Sequence, residues 1–496
     1  MFAWFCEDLV MLDAFPIRPI SRYKAIERVA FLFIISIGFF GWGSAYAATV
    51  TVDTTQTRQR IEGLGANLRQ LLNDPSAVAN VNELTPPIVR VPIPHTDMND
   101  TVSPHPWEVT NDNDDPLTFN FSSAFNDQDN TKGATQYDSN RDLFLMMQDL
   151  KKRGVRIVAS LWNVPDWMVQ DPTLTSNRHI PPSMYAEAIE YIAAFLVVAR
   201  DTYGITIEYV SFNEPNIGIS VRFTSQEMAN FIKQAGPRFV ALGLSTKFLL
   251  GDAVGPNNAV SYITPILQDA QTLPYLGPLS FHDYHQWVTD AVRAEIWNVA
   301  ALYNKKVWVA EIGPDHSSAD PDLTTWSTAM DVARKYYRDL KHARASAVLY
   351  WGYGRYGNFE LRDRATLTPY PTYYVIRQYV NDLPVGTDIV EATSDDSAVL
   401  VLAGKHTSAN RLVVELLNTA TSQKTVTISG LPNGTLTLFR TSQSENLKTI
   451  GNLSAGGGQL TMTLPGESLS SLRGVLTSNT APDNTPPAAP SGLLVR

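Results

Sequence analysis

The chain has 496 residues, room for two or three domains and a large core. Hydrophobic residues make up 44% of it and charged residues only 18%. The net charge is −10 with no long basic run, which argues against nucleic acid and anionic membranes as partners and toward one that is neutral or simply not selected by charge.

The N-terminus has the pattern of a targeting segment. Arg18, Arg22, Lys24 and Arg28 precede the fifteen apolar residues VAFLFIISIGFFGWG (29–43), and AYA (45–47) offers small residues for cleavage. This predicts a secretory signal peptide over 1–47 and a secreted protein, extracellular or periplasmic. The alternative is a single membrane anchor, for which the run is short of the ~20 residues a spanning helix needs. The only cysteine, Cys6, lies in this segment, so the mature chain has no disulfide and no cysteine metal site.

From residue 49 short β-rich runs recur: TVTVDTT (49–55), RIEGLGA (60–66), IVRVPI (88–93), VRIVASLW (155–162), IEYVSFN (207–213), KFLLGDA (247–253), LSFHDYH (279–285), KVWVAEI (306–312) and SAVLYWGY (346–353). Stretches with helical patterning separate the last eight, such as SMYAEAIEYIAAFLVVARDTYG (183–204) and SQEMANFIKQAGPRFVALG (225–243). Strands alternating with helices pair in parallel, and eight units predict an α/β fold, a (β/α)8 barrel over 56–385. A doubly wound open sheet is the competing arrangement, but GLGAN (63–67) lacks the full spacing of a nucleotide-binding loop.

After about residue 385 alternating strands take over: RLVVELLN, KTVTISGL, TLTLFRTS. They predict an antiparallel β-sandwich over 387–477, to which 49–55 adds a strand. The tail 478–496 is Pro-rich, and PPAAPSGLLV resembles the opening of a fibronectin type III module.

A barrel of this kind carries its site at the C-terminal ends of its strands. Asn213 and Glu214 stand at the end of the fourth barrel run, before Pro215, and Glu311 ends the seventh. Two carboxylates facing each other across the mouth suit glycosidic bond hydrolysis, with one to protonate the leaving oxygen and one to attack. Arg90 ends the second run and Tyr284 the sixth; both would favour an ionised Glu311. His282 shares that sixth strand end. Trp162, Trp167, Trp287 and Trp351 lie just past strand ends, where sugar rings stack on aromatic faces. Each feature has a plainer reading, as packing or as a structural ion pair; their convergence at several strand ends favours the chemical one. The insertion 95–130 is expected to wall one side of the cleft. Its NDNDDP (111–116) has the composition of a calcium loop without the spacing, so a solvated acidic loop is the simpler reading.

FNEPN, WVAEIG, FHDY and SLWNVPDWM (160–168) resemble clan A glycoside hydrolases, most closely family 30, with IEGLGA and LWNVPDWM similar to that family's first and third strands. The resemblance covers 49–477. It implies a retaining hydrolase of β-glycosidic bonds in a xylan- or β-glucan-type polysaccharide, with Glu214 as general acid/base and Glu311 as nucleophile. Asn213 would bond the sugar 2-hydroxyl. Arg90, His282 and Tyr284 match the clan's strand-two arginine and its His-x-Tyr, and Trp162 and Trp351 would line the sugar subsite. Arg355 and Tyr356 stand where the family's glucuronoxylanases grip a glucuronate, a loose match. No metal or organic cofactor is implied; the expected partner is the substrate alone and the expected state a monomer. Two alternatives remain: a non-catalytic carbohydrate-binding protein on a barrel scaffold, and an exo-acting β-glycosidase of family 39 or 5.

Overall fold

The computed structural model describes residues 47–68, 74–94, 108, 111–119, 140–317, 319–354 and 357–476. The signal segment, most of 95–130, Arg355, Tyr356 and the Pro-rich tail lie outside the described residues.

Eight strands close a parallel barrel in chain order: β2 (Gly63–Asn67), β3 (Ile88–Pro92), β4 (Arg156–Leu161), β5 (Ile207–Phe212), β6 (Lys247–Val254), β7 (Leu276–Asp283), β8 (Val307–Ile312) and β9 (Ala345–Tyr350). Every residue of β3, β8 and β9 is buried, because helices cover the outer face while side chains fill the inner one. Closure joins β2 to β9 in the register Gly63↔Ala347 to Ala66↔Tyr350. On the other side, Gly65 lets β2 lie close to β3: a Cβ there would stand 2.1 Å from the Ile88 carbonyl oxygen.

The described helices are α1 (Pro75–Leu84), α2 (Asn140–Lys152), α3 (Tyr185–Asp201), α4 (Ser225–Ala241), α5 (Pro256–Gln268), α6 (Asp290–Leu302), α7 (Trp326–Lys341) and α8 (Pro371–Asp382). Their starts are written locally. Thr224 and Glu227 close a reciprocal capping box on α4, and Thr289 and Thr325 cap α6 and α7. Helix α3 is apolar on nearly all sides, and by length and composition it could cross a membrane. It is instead a core helix, with 72% of its apolar window buried in the protein.

The remaining strands form one nine-stranded sheet. They are β1 (Ala48–Arg60), β10 (Asp388–Ser394), β11 (Val399–His406), β12 (Arg411–Asn418), β13 (Lys424–Ser429), β14 (Gly434–Ser442), β15 (Glu445–Ala455), β16 (Gln459–Leu464) and β17 (Ser468–Val475), in the order β15-β14-β17-β12-β11-β10-β1-β13-β16. Leu436 and Leu438 near one end of that order share a core with Leu460 and Met462 at the other, so the sheet curls over itself into two layers. One pairing departs from the antiparallel expectation: β1, which precedes the barrel in the chain, runs antiparallel to β10 but parallel to β13. The start of β1 alternates buried Ala48, Val50 and Val52 with exposed Thr49 and Thr51, as a half-buried strand must. The outer face of the sheet meets α7 and α8. Trp326 Nε1 donates to the Glu467 carbonyl at 2.7 Å, and buried Asp382 accepts from Arg411 and Arg473.

Of the insertion 95–130 only 108 and 111–119 are described, so the expectation that it walls the cleft falls mostly outside the described residues. Its described part lies on the outside of the barrel, with Asp115 3.5 Å from Arg238 of α4 and Phe119 in the main core. None of its described residues lines the cavity at the barrel mouth. Helix α3 explains this, since so apolar a surface has to be covered.

Candidate active site

At the C-terminal end of the barrel lies a cavity of about 390 Å³, lined among others by Trp162, Asn213, Glu214, Tyr284, Glu311 and Trp351. Seven strands build it. Asn67 ends β2, Arg90 lies in β3, Ser160 in β4, Ser211 in β5, Asp252 near the end of β6 and His282 in β7. Glu311 ends β8 opposite Glu214, which follows β5.

Arg90 is the hub. Its Nη1 donates to Glu311 Oε1 at 2.7 Å and Asn67 Oδ1 at 2.8 Å. Its Nη2 donates to Asp252 Oδ2 at 2.6 Å, and to Asn213 Oδ1 and Ser160 Oγ, each at 2.9 Å. A planar guanidinium can hold this many acceptors in fixed directions, which a lysine could not. Because Asn213 offers its oxygen to Arg90, its amide nitrogen is left to face the cavity.

His282 bridges the two halves of the site. Its Nδ1 lies 2.9 Å from Glu214 Oε1 and 3.3 Å from Glu311 Oε2, and its Nε2 lies 2.9 Å from Asp252 Oδ1. Burial opposes a charge on this ring, but the Glu311 carboxylate and the contacts with Asp252 and Glu214 outweigh burial and push the imidazole up to about 10. His282 is therefore an imidazolium near neutral pH, with both nitrogens donating.

Asp252 is fully buried. Burial alone would raise it, but Arg90, His282 and the 2.6 Å hydrogen bond from Ser211 hold it well below the usual carboxylate range. Glu311 behaves differently. Burial raises it, while His282 and Arg90 pull the other way and the charges of Glu214 and Asp252 push with burial; the outcome lies above its ordinary value. Both Arg90 and Tyr284 touch it, Tyr284 donating to Oε2 at 2.8 Å, and Arg90 favours its ionised form, but desolvation outweighs that pull.

Backbone conformation aims the acids. Glu214 and Asp252 are both left-handed, at φ 45° and 47°, and the Glu214 N–H donates to the Asp252 carbonyl at 2.9 Å. Residues other than glycine take this conformation at a cost of roughly 1–2 kcal/mol, so the fold holds them there. Gly251, at φ 107°, turns the chain just before Asp252, and a Cβ on it would meet the Ser280 carbonyl oxygen at 2.3 Å. Buried Lys335 of α7 ties the Tyr284 and Gly313 carbonyls together, at 2.8 and 3.0 Å. That fixes the ends of β7 and β8 relative to each other.

Trp162 and Trp351 form an aromatic wall, with ring centroids 5.0 Å apart. Phe359 and His316 extend it, both packed edge-on to Tyr284. Trp167 packs against the barrel core and Trp287, 60% exposed, stacks on His285; neither lines the cavity. Arg355 and Tyr356 lie outside the described residues. The residue that sequence reasoning missed is Asp252. The signal was present, an acid after glycine near the end of an apolar run, the same kind of signal that marked Glu214.

Residues 190–353 match the family model for the glycosyl hydrolase catalytic core. The chain carries a glycosyl hydrolase catalytic core. The matched segment contains Asn213, Glu214, Asp252, His282, Tyr284, Glu311 and Trp351 of this hydrolase. A family 30 endoxylanase from Clostridium papyrosolvens is similar in structure, with TM-score 0.67 and 20% identity over 86% of this chain and 100% of that one. So is a family 30 subfamily 8 xylanase from Clostridium acetobutylicum, with TM-score 0.68 and 21% identity over 86% and 99%. An endo-β1,6-glucanase has TM-score 0.59 and 19% identity over 86% and 94%. These likenesses show the fold, a barrel with a β-sandwich. Comparison with curated protein sequences finds no match.

Proposed function

We propose that the protein is a secreted, retaining glycoside hydrolase of family 30 that acts as a monomer on a β-linked polysaccharide of xylan or β-glucan type. One observation carries the mechanism: an oxygen of Glu214 and an oxygen of Glu311 lie within 4.8 Å of each other. Retaining enzymes hold the two carboxyl groups about 5–5.5 Å apart, whereas inverting enzymes need about 6.5–9.5 Å to admit a water.

In the first step Glu311 attacks the anomeric carbon while Glu214 gives its proton to the leaving glycosidic oxygen. Arg90, His282 and Tyr284 each contact the attacking carboxylate, which fixes its orientation. His282 donates to Glu214 Oε1 and leaves the other oxygen toward the cavity. Glu214 and Glu311 repel each other when both are charged. Once Glu311 is esterified to the sugar, its charge is gone and so is that repulsion. Glu214, ionised by the proton transfer of the first step, then takes the proton of the attacking water, and the water's oxygen releases the sugar from Glu311. The Asn213 amide is placed to donate to a sugar hydroxyl beside the reacting carbon, and the Trp162–Trp351 wall offers a stacking face to the ring.

The substrate class rests on the relatives: two are xylanases and one is an endo-β1,6-glucanase. Reducing-sugar release by the mature protein on glucuronoxylan, unsubstituted xylan, β-1,6-glucan and β-1,4-glucan, beside Glu311→Gln, tests it. Release from a xylan or a β-glucan, lost in the variant, supports the reading. Binding without release from any polymer would move the protein to the carbohydrate-binding class.

A further inference from the structure

A second group of acids lies away from the barrel mouth, where the insertion after β3 crosses α3. Glu187 and Glu190 are three residues apart on α3 and share one face. Glu108 and Asp112 come from the insertion. One carboxylate oxygen from each of Glu108, Asp112 and Glu190 lies within 4.8 Å of the other two.

Acidic clusters are common on protein surfaces and bind nothing. Burial sets this one apart. Glu108 is 3% exposed and Glu190 1%, and no carboxylate oxygen of either completes a hydrogen bond. The Asp112 amide approaches Glu108 closely enough to favour its ionised form without reaching full bonding geometry. Among the described residues, the charges that act most strongly on Glu190 are all negative: Glu108, Asp112, Glu187 and Asp114. Buried carboxylates with neither donor nor cation are strongly destabilising, so such a group is neutralised by protons or by a positive ion.

We propose that Glu108, Asp112 and Glu190 bind a calcium ion, which ties the insertion after β3 to α3. The donors are all oxygen, which selects a hard cation over a transition metal. Two oxygens bound to one calcium at ~2.4 Å stand at most ~4.8 Å apart, and the three carboxylate oxygens here lie within that distance of one another. Asp114, Glu187 and the Asn111 amide lie close by, and calcium takes about six to eight oxygens where magnesium keeps a compact octahedron. Without the ion, burial pushes Glu108 and Glu190 up to about 8 each, so both would carry protons near neutral pH. The proposal does not depend on the reading of the barrel mouth.

The test is titration of calcium chloride into the EDTA-stripped mature protein at pH 7.5, by calorimetry and thermal unfolding. One ion should bind per chain, with a Kd between ~1 μM and ~1 mM. At a hundredfold excess over Kd the Tm should rise by about 3–5 °C. Glu190→Gln should not lower the Tm in EDTA, because it removes a repulsion, and it should abolish the calcium shift; Glu108→Gln serves if that variant fails to fold. Glu311→Gln should keep the shift, which separates this site from the acids at the barrel mouth. No heat and no shift with the wild type at 10 mM calcium would overturn the proposal, leaving protons as the neutralising agent. A shift that survives Glu190→Gln would place the ion elsewhere and overturn it equally.

Discussion

Glu311 and Glu190 are both buried carboxylates, 5% and 1% exposed, and their surroundings are opposite. Around Glu311 the fold arranges a guanidinium, an imidazolium and a phenol, each within 3.3 Å. Around Glu190, among the described residues, the charges that act most strongly are other acids. In the first case the protein supplies the compensating charge itself and can use the carboxylate as a reagent. In the second, compensation has to come from solution. Burial alone therefore does not mark a catalytic acid; the partners built around it do.

Substitution at the two places should separate them most sharply in turnover. Glu311→Gln should lower kcat by roughly 10⁴-fold or more, since no other carboxylate can form the covalent intermediate. Glu214→Ala should cost roughly 10²–10⁴-fold on natural linkages yet spare aryl glycosides, whose leaving groups need no proton. Glu190→Gln should change neither. Steady-state kinetics on a polymer and on an aryl glycoside distinguish the three.

Stability gives the next contrast. Arg90→Met leaves buried Asp252 and Glu311 with His282 as their one remaining shared cation, and should lower the unfolding free energy by about 3–5 kcal/mol in urea. Glu190→Gln should hold or raise stability in EDTA. If Arg90→Met proves neutral, the hub is not what offsets the buried acids.

The smallest effect is in the pH dependence of Tm. Glu190 shifts from its ordinary 4.5 to about 8 on folding, so the cation-free folded state keeps its proton longer. Stability therefore falls as pH rises from 4.5 to 8, and calcium should remove that slope. His282 shifts from 6.5 to about 10, so its contribution is full below 6.5 and is lost as pH climbs toward 10. Calcium should leave that second window unchanged. Tm measured against pH with and without calcium resolves the two.

Much of the fold is legible in the chain. Strands of a parallel barrel are covered on both faces, so they read as continuous apolar runs, and all eight stand near where the sequence puts them. Glu214 and Glu311 stand out because a carboxylate at the end of such a run needs a reason. Asp252 was harder. Its partners Arg90 and His282 are 162 and 30 residues away, and nothing local shows that they converge. The position of the described part of the post-β3 insertion was hidden for the same reason: acidic, turn-rich residues read as solvated until α3 is seen to need a cover. The parallel β1–β13 pairing is a long-range register that no turn in the chain specifies.

The most direct test of the two-carboxylate mechanism is the configuration of the first product, followed by proton NMR during hydrolysis of a β-linked oligosaccharide that the enzyme cleaves. The spacing of Glu214 and Glu311 predicts that the β-anomer appears first and the α-anomer only later, by mutarotation. An α-anomer as the first product would mean single displacement by water, and would contradict the role of Glu311 as nucleophile.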